Sequence, residues 1–291
     1  MYRNIFHNSI IIYKNYKKAK YVISLIPFEN DYLFKIWGIN SILMNNFIPY
    51  DYDSIVPSDL SSKNILMIGR GSDKIKRFEL GIESMKYIVK EIPKSEMIII
   101  SNLKNINHLI KLVKILNLNN NIKFVGYYSN PDKFYKKASL HIFPTLAEAF
   151  PNVLSETLIY GIPSILAGLD YVSTAKGGTV IVYDDSPLSI AKIAIKILLN
   201  KRLRKKLGKE ARKNIKKYRN DLLLNKWIKL IISIYNGGNY YDNLRKKDKK
   251  LTKKEAKKIF ENQIKLFKKR KKEYINITIN DIENYIYMKN L

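Results

Sequence analysis

From Lys63 onward the chain alternates short, unbroken apolar runs with longer segments of helical periodicity, and this alternation constrains the fold more than any other feature. The apolar runs occupy residues 64–69, 96–101, 121–126, 139–144, 163–167 and 179–183. A strand that is apolar at nearly every position must be covered on both faces, as in a parallel sheet between two helical layers. The intervening residues 77–92, 106–118, 152–160 and 187 onward read as helices, and another is expected to start near Pro131. Parallel strands with right-handed helical crossovers give an α/β, Rossmann-like doubly wound sheet, whose ligand sits at the carboxyl ends of the strands.

The flanks are less regular. Before the sheet, residues 21–26 are strand-like and 30–37 helix-like, pieces too few for an independent core. The stretch Ile48-Pro-Tyr-Asp-Tyr-Asp-Ser-Ile-Val-Pro-Ser58 reads as an extended linker because of its two prolines. After Tyr235, Asn236-Gly-Gly-Asn239 breaks the helical pattern and a Lys-rich tail follows. Thr252-Lys-Lys-Glu255 has capping-box spacing for a helix over 252–272. The expected division is therefore 1–62, 63–236 and a basic, partly helical tail over 237–291.

Composition narrows the function. With 46% hydrophobic residues the chain has material for a core, and with no cysteine it has no disulfide, zinc-thiolate site, iron–sulfur cluster or thiol nucleophile. No apolar run reaches the roughly 18–20 residues of a membrane-spanning helix, and the amino-terminal apolar patch is too short for a signal peptide. A cytoplasmic protein is the expectation, peripheral to the membrane if its basic surface meets anionic lipid. The net charge of +28 would suit a polyanionic partner. Yet Lys far outnumbers Arg, and Lys, Asn, Ile and Tyr share AT-rich codons, so composition alone accounts for the excess. No specific nucleic-acid partner is expected, because no recognition motif accompanies the charge. The segment 201–217, with ten Lys or Arg residues, could contact phosphates or an anionic membrane surface, or form a solvated helix face.

The most informative stretch is Phe143-Pro-Thr-Leu-Ala-Glu148-Ala-Phe-Pro-Asn-Val-Leu-Ser-Glu156-Thr-Leu-Ile-Tyr-Gly161-Ile-Pro163. Two glutamates lie eight positions apart across a strand-to-helix junction. Glu148 falls in the loop beyond the strand, and Glu156 in the first turns of the helix. Between them the backbone N–H groups of Ala149, Phe150, Asn152 and Val153, at a helix start, suit a phosphate. Carboxylates on either side could grip sugar hydroxyls.

This stretch resembles the carboxyl-terminal, donor-binding domain of retaining nucleotide-sugar glycosyltransferases of the GT-B fold, glycosyltransferase family four (group 1). The family pattern is Glu, seven residues, Glu, within an E-G-F-P-N-V-L-x-E-A-like string followed by G-x-P. Glu148, Phe150-Pro-Asn-Val-Leu154, Glu156 and Gly161-Ile-Pro163 stand in register with it. Ile68-Gly-Arg70, Phe124-Val-Gly126 and Leu207-Gly-Lys-Glu-Ala-Arg212 extend the match in order, and the resemblance runs from about Ala19 to Gly237. Ala149 departs from it, standing where the family has glycine.

The resemblance implies roles. Arg70 and Lys76 would neutralise the donor diphosphate, with Lys74 and Arg77 as rivals to Lys76. Glu148 would hold hydroxyls of the donor sugar and Glu156 the ribose. Gly69, Val125, Gly126 and the segment Ala149, Phe150, Pro151, Asn152, Val153 and Leu154 would line the nucleotide, with Val125 and Gly126 facing the base. The donor is a substrate, so no cofactor and no metal is expected. The resemblance further implies sugar transfer with retention to a glycan or lipid-linked acceptor. Residues 1–62 would be a remnant of an amino-terminal domain and its linker, so the enzyme would be truncated, or split with that domain on a separate polypeptide. A non-catalytic nucleotide-sugar-binding module is the alternative, and a basic nucleic-acid-binding protein, resting on charge alone, a weaker one.

Other motifs are weaker. Asp51-Tyr-Asp53 has metal-binding D-x-D spacing but sits in the linker. Gly69-Arg-Gly71 lacks the third glycine of a dinucleotide fingerprint. His141 in the fourth strand reads as a core histidine, and Tyr127-Tyr128 could stack a base or simply pack.

Overall fold

A computed structural model describes residues 9–35, 38–128, 131–168, 172–184 and 186–240. The tail helix expected at 252–272 lies outside them. The chain divides into two compact units, one spanning Ile48–Arg219 and the other formed by described residues up to Phe47 together with those from Asn220.

The larger unit is built on six strands, here β3 (Asn64–Ile68), β4 (Glu96–Ile100), β5 (Ile122–Val125), β6 (Leu140–Phe143), β7 (Ser164–Ala167) and β8 (Thr179–Val182). They form one sheet in the order β5-β4-β3-β6-β7-β8, with every neighbouring pair parallel. β6 and β7 are buried at all four positions, which requires cover on both faces. The connecting helices are α3 (Phe78–Glu91), α4 (Asn107–Ile115), α5 (Asp132–Lys137), α6 (Asn152–Ile159), α7 (Pro187–Leu199) and α8 (Lys201–Ile215). α3 packs between α4 and α7, while α6 packs on α8. The expected doubly wound α/β sheet is thus present. Its order reverses between β3 and β6, which places the ligand crevice of such a sheet at their carboxyl ends.

Local chemistry accounts for these elements. α3 buries Phe78, Gly81, Ile82, Met85 and Ile88 along one stripe, the 3.6-residue pattern of a helix lying on a sheet. Gly81 lets it lie close: a Cβ there would stand 2.3 Å from the Met67 sulfur on β3. α7 is capped by Ser186 and starts with Pro187, and α8 is capped by the Asn200 side chain.

Residues 48–62 are not a free linker. Ser58 bonds through its N–H to the Tyr160 carbonyl and through its hydroxyl to the Ala138 carbonyl, and Leu60 is buried. Arg212 reaches the Tyr52 and Ile55 carbonyls, at 3.3 and 3.5 Å, with its guanidinium over the Tyr52 ring. The segment is irregular, with a turn at 52–54 and a left-handed Leu60, and arginines of the larger unit satisfy its carbonyls.

The smaller unit contains α1 (Ser9–Lys18), β1 (Val22–Ser24), α2 (Pro27–Lys35), β2 (Ser41–Leu43) and α9 (Asn220–Tyr235). β1 and β2 pair in parallel. Leu223, Trp227 and Leu230 of α9 close a small core with Ile42, Met44, Tyr21 and Phe34. α9 therefore belongs with the amino-terminal pieces, and not with the sheet of 63–236. No helix among the described residues is long and apolar enough to cross a membrane.

Arg204 fastens α8 to the larger unit. Its buried guanidinium donates to the carbonyls of Leu60, Ile197 and Leu198 at 2.8, 3.0 and 2.6 Å. Arg204→Met would leave these acceptors without that donor, at roughly 3 kcal/mol. Thermal unfolding should show a Tm lowered by about 10 °C; an unchanged Tm would refute this role.

Candidate functional site

The loop after β3 and the loop after β6 meet at the reversal point. Gly69, Arg70 and Gly71 leave β3, and Lys74–Lys76 form a single 3-10 turn before α3. Asp73 caps that turn, accepting from the Ile75 N–H at 3.1 Å through Oδ1. Leu146 N–H and the Thr145 hydroxyl both donate to the Ile75 carbonyl, at 2.8 and 3.2 Å. Arg77 has the left-handed φ of 49° and turns its Nε to the Pro144 carbonyl at 2.7 Å. Three contacts thus fix the two loops against each other.

Across this junction the Lys76 ammonium pairs with Glu148 Oε1, their side chains only 19% and 15% exposed. Burial of this degree makes the pair a fixed element, because each charge would be costly without its partner. Of the three rival cations, Lys76 pairs with Glu148, Arg77 donates to the Pro144 carbonyl and Lys74 is exposed. Arg70 lies at the mouth, 76% exposed, its Nη2 2.9 Å from Asp73 Oδ2. That bond, together with the Ile75 N–H, holds the Asp73 carboxyl below its ordinary range against the opposing effect of burial.

α6 starts at Asn152 after Pro151, with no side-chain cap. A helix start of this kind leaves its first-turn N–H groups without intrahelical acceptors and favours an anion. Within the predicted lining, Phe150 and Leu154 have buried side chains, Phe150 packing edge-on to Tyr218, so these residues could offer only backbone to a ligand. Asn152 is exposed, and Ala149 and Val153 are half-buried. Ala149 is accommodated where the related pattern has glycine.

Glu156, a turn into α6, is half-buried and accepts from the Tyr135 hydroxyl at 2.6 Å through Oε2. Burial raises its carboxyl above the ordinary value, and the Tyr135 bond offsets part of that rise. Val125 ends β5, and Gly126 follows with open space where a Cβ would stand. Gly71 is different: its N–H meets the Ser101 hydroxyl, and a Cβ would crowd Ile106 and Ser101 at 3.0 Å.

Tyr135, Asp73 and Tyr50 were not singled out by the sequence. Tyr50 lies edge-on to Tyr135 and Tyr160, at 6.3 and 5.6 Å. Its hydroxyl is pushed up to about 12 by burial first, then by Glu156 and Asp132. Only the acidic character of Asp73 amid cations gave a signal; the tyrosines gave none.

The other motifs fall away from the site. Asp53 pairs with Arg219 at 3.2 Å. His141 is wholly buried, its Nδ1 3.2 Å from both the Ser164 and Thr157 hydroxyls, and burial holds its pKa down at about 3. It is the core histidine expected. Tyr128 packs edge-on to Phe134, and Tyr127 is exposed. In segment 201–217, Lys201, Arg202, Lys205, Lys206 and Lys209 line a shallow outer surface, while Arg204 and Arg212 turn inward to carbonyls.

The fold is thus a doubly wound, Rossmann-like α/β domain, with a paired acid and base at its switch point and a second glutamate on the adjoining helix. The chain belongs to the glycosyl transferases group 1 family, whose profile matches residues 52–214. An uncharacterized glycosyltransferase of Methanocaldococcus jannaschii is 29% identical over 160 residues, covering 54% of this chain and 37% of that protein. The capsular polysaccharide biosynthesis glycosyltransferase CapM of Staphylococcus aureus is 26% identical over 139 residues, covering 46% of this chain and 36% of CapM. Among solved structures, a mutant of S. aureus TarM in complex with fondaparinux, alpha-GlcNAc-glycerol and UDP superposes with a TM-score of 0.65. Identity there is 23%, and the match covers 76% of this chain and 45% of TarM. The chain spans less than half the length of each of these proteins.

The raised Glu156 carboxyl has a consequence for stability. A folded-state value above the unfolded one gives stability that is present below the ordinary carboxyl range and lost as pH rises through the folded value. Without nucleotide, Glu156→Gln should therefore unfold at a higher temperature than the wild type near pH 7, the gap closing as pH falls to about 4. A lower Tm for Glu156→Gln near pH 7 would contradict the stated cause.

Proposed function

We propose that the Ile48–Arg219 unit binds a nucleoside-diphosphate sugar at the carboxyl ends of β3 and β6, and that the protein transfers the sugar, with retention and without a metal ion, to a glycan or lipid-linked acceptor. The observation that carries this reading is the Lys76–Glu148 pair held between the two switch-point loops, beside the start of α6. A diphosphate needs fixed positive charge and backbone donors, and a sugar needs a carboxylate that accepts from its hydroxyls. Lys76, Arg70 and the first turn of α6 supply the former, and Glu148 the latter.

Departure of a nucleoside diphosphate leaves negative charge on the bridging oxygen. A lysine already oriented by Glu148 stabilises that charge with little reorganisation, the arrangement that lowers a barrier most. Lys76 and Arg70 thereby take the part that a divalent cation would otherwise play. Glu156 receives the ribose diol, and Val125 and Gly126 face the base, where Gly126 leaves room for a ring. Attack by the acceptor hydroxyl from the face that the diphosphate leaves would retain the anomeric configuration. UDP is the first nucleotide to try, since the TarM complex contains it.

Calorimetry with UDP, GDP and their sugars tests the donor half of this reading. We expect micromolar to millimolar binding of at least one nucleotide, weakened tenfold or more, about 1.4 kcal/mol, by Lys76→Met. Lys205→Met on the outer face of α8 should leave it unchanged. No binding of any of these nucleotides at millimolar concentration would overturn the proposal.

A further inference from the structure

The Glu156 carboxylate is held by a residue that no motif contains. Tyr135 is wholly buried on α5, and its hydroxyl donates to Glu156 Oε2 at 2.6 Å. Its ring is stacked on Tyr160, centroids 4.8 Å apart and planes 24° from parallel, with the Tyr50 ring edge-on to both. Tyr160 is tied down in turn, its hydroxyl donating to Asp132 at 2.6 Å in the first turn of α5. Clamped in this way, the Tyr135 phenol is directed at Oε2.

We propose that Tyr135 is a positioning residue for nucleoside recognition: its hydroxyl fixes the plane of the Glu156 carboxylate, holding Oε2 and presenting Oε1 to the ribose diol. This rests on the reading of Glu156 as the ribose carboxylate. Three observations support it. Packing alone would be met by phenylalanine, so the hydroxyl has its use in the bond to Glu156. Burial works against the anionic form of Glu156, and the phenolic donor favours it, keeping a group that accepts from two ribose hydroxyls. Finally, α5 follows the loop that leaves β5 at Val125 and Gly126. The helix that carries Tyr135 is thus the next element in the chain after the strand whose end is placed to face the base.

The test compares UDP with 2′,3′-dideoxy-UDP on the full chain, by calorimetry, for the wild type and for Tyr135→Phe. The wild type should prefer UDP by about tenfold or more, the value of hydroxyls bonded to a charged group. Tyr135→Phe should weaken UDP about fivefold and change dideoxy-UDP by less than about twofold, so the preference collapses. In a Glu156→Gln background, Tyr135→Phe should cause no further loss of preference. Equal weakening of both ligands would overturn the proposal, since a packing defect does not distinguish ribose from dideoxyribose. So would an unaltered preference in folded Tyr135→Phe. If that variant fails to fold, 3-fluorotyrosine at position 135, a stronger donor, should raise the preference for UDP, and an unchanged preference is the contrary result. If GDP binds and UDP does not, the same comparison is made with GDP and 2′,3′-dideoxy-GDP; absence of binding of both nucleotides by the wild type would overturn the reading of Glu156 along with this one.

Discussion

The closure between the loop after β3 and the loop after β6 is the constraint on which the rest of the site depends. Apart from the 3-10 turn at Lys74–Lys76 neither loop is regular, yet the Leu146 N–H, the Thr145 hydroxyl and Arg77 Nε lock them together by donating to the Ile75 and Pro144 carbonyls. Lys76 and Glu148 are 72 residues apart in the chain and meet because the sheet reverses between their strands. With 19% and 15% of their side chains exposed, neither charge is well hydrated, and each orients the other. A site made this way is preorganised: the cation stands in place before any diphosphate arrives, which is how electrostatic stabilisation is most effective.

The same geometry separates charge with a task from charge without one. The chain carries a net +28, and many of the described lysines are exposed. A handful of cations are instead spoken for by the fold. Arg204 and Arg212 serve carbonyls, and Arg77 ties two loops. Arg70 is held by Asp73 at the mouth of the crevice, and Lys76 by Glu148. Burial and partner distinguish them, whereas local sequence does not: Lys74, Lys76 and Arg77 stand within four residues of one another and do three different things.

Much of the sheet was legible because continuous apolar runs have few alternatives to a covered parallel strand, and the six strands fall within the six runs. The two glutamates were legible through a motif with fixed spacing. What escaped depended on tertiary partners. Leu223, Trp227 and Leu230 announce a buried helix face but not its partner, so the helix at 220–235 could not be assigned to the amino-terminal unit from periodicity. Two prolines announce extended chain over 48–58, but not that Tyr50 would lie against Tyr135 and Tyr160. The bond from Tyr135 to Glu156 joins positions 21 residues apart on different helices, and no pattern of spacing signals it.

The central claim is that one crevice, at the carboxyl ends of β3 and β6, receives the nucleotide. A crystal structure of this chain with UDP addresses it most directly. The account predicts the diphosphate within hydrogen-bond distance of Lys76 and the first turn of the helix at Asn152–Ile159, with the ribose diol on Glu156. UDP bound elsewhere, on the outer lysines of Lys201–Ile215 for example, with the crevice empty, would contradict it.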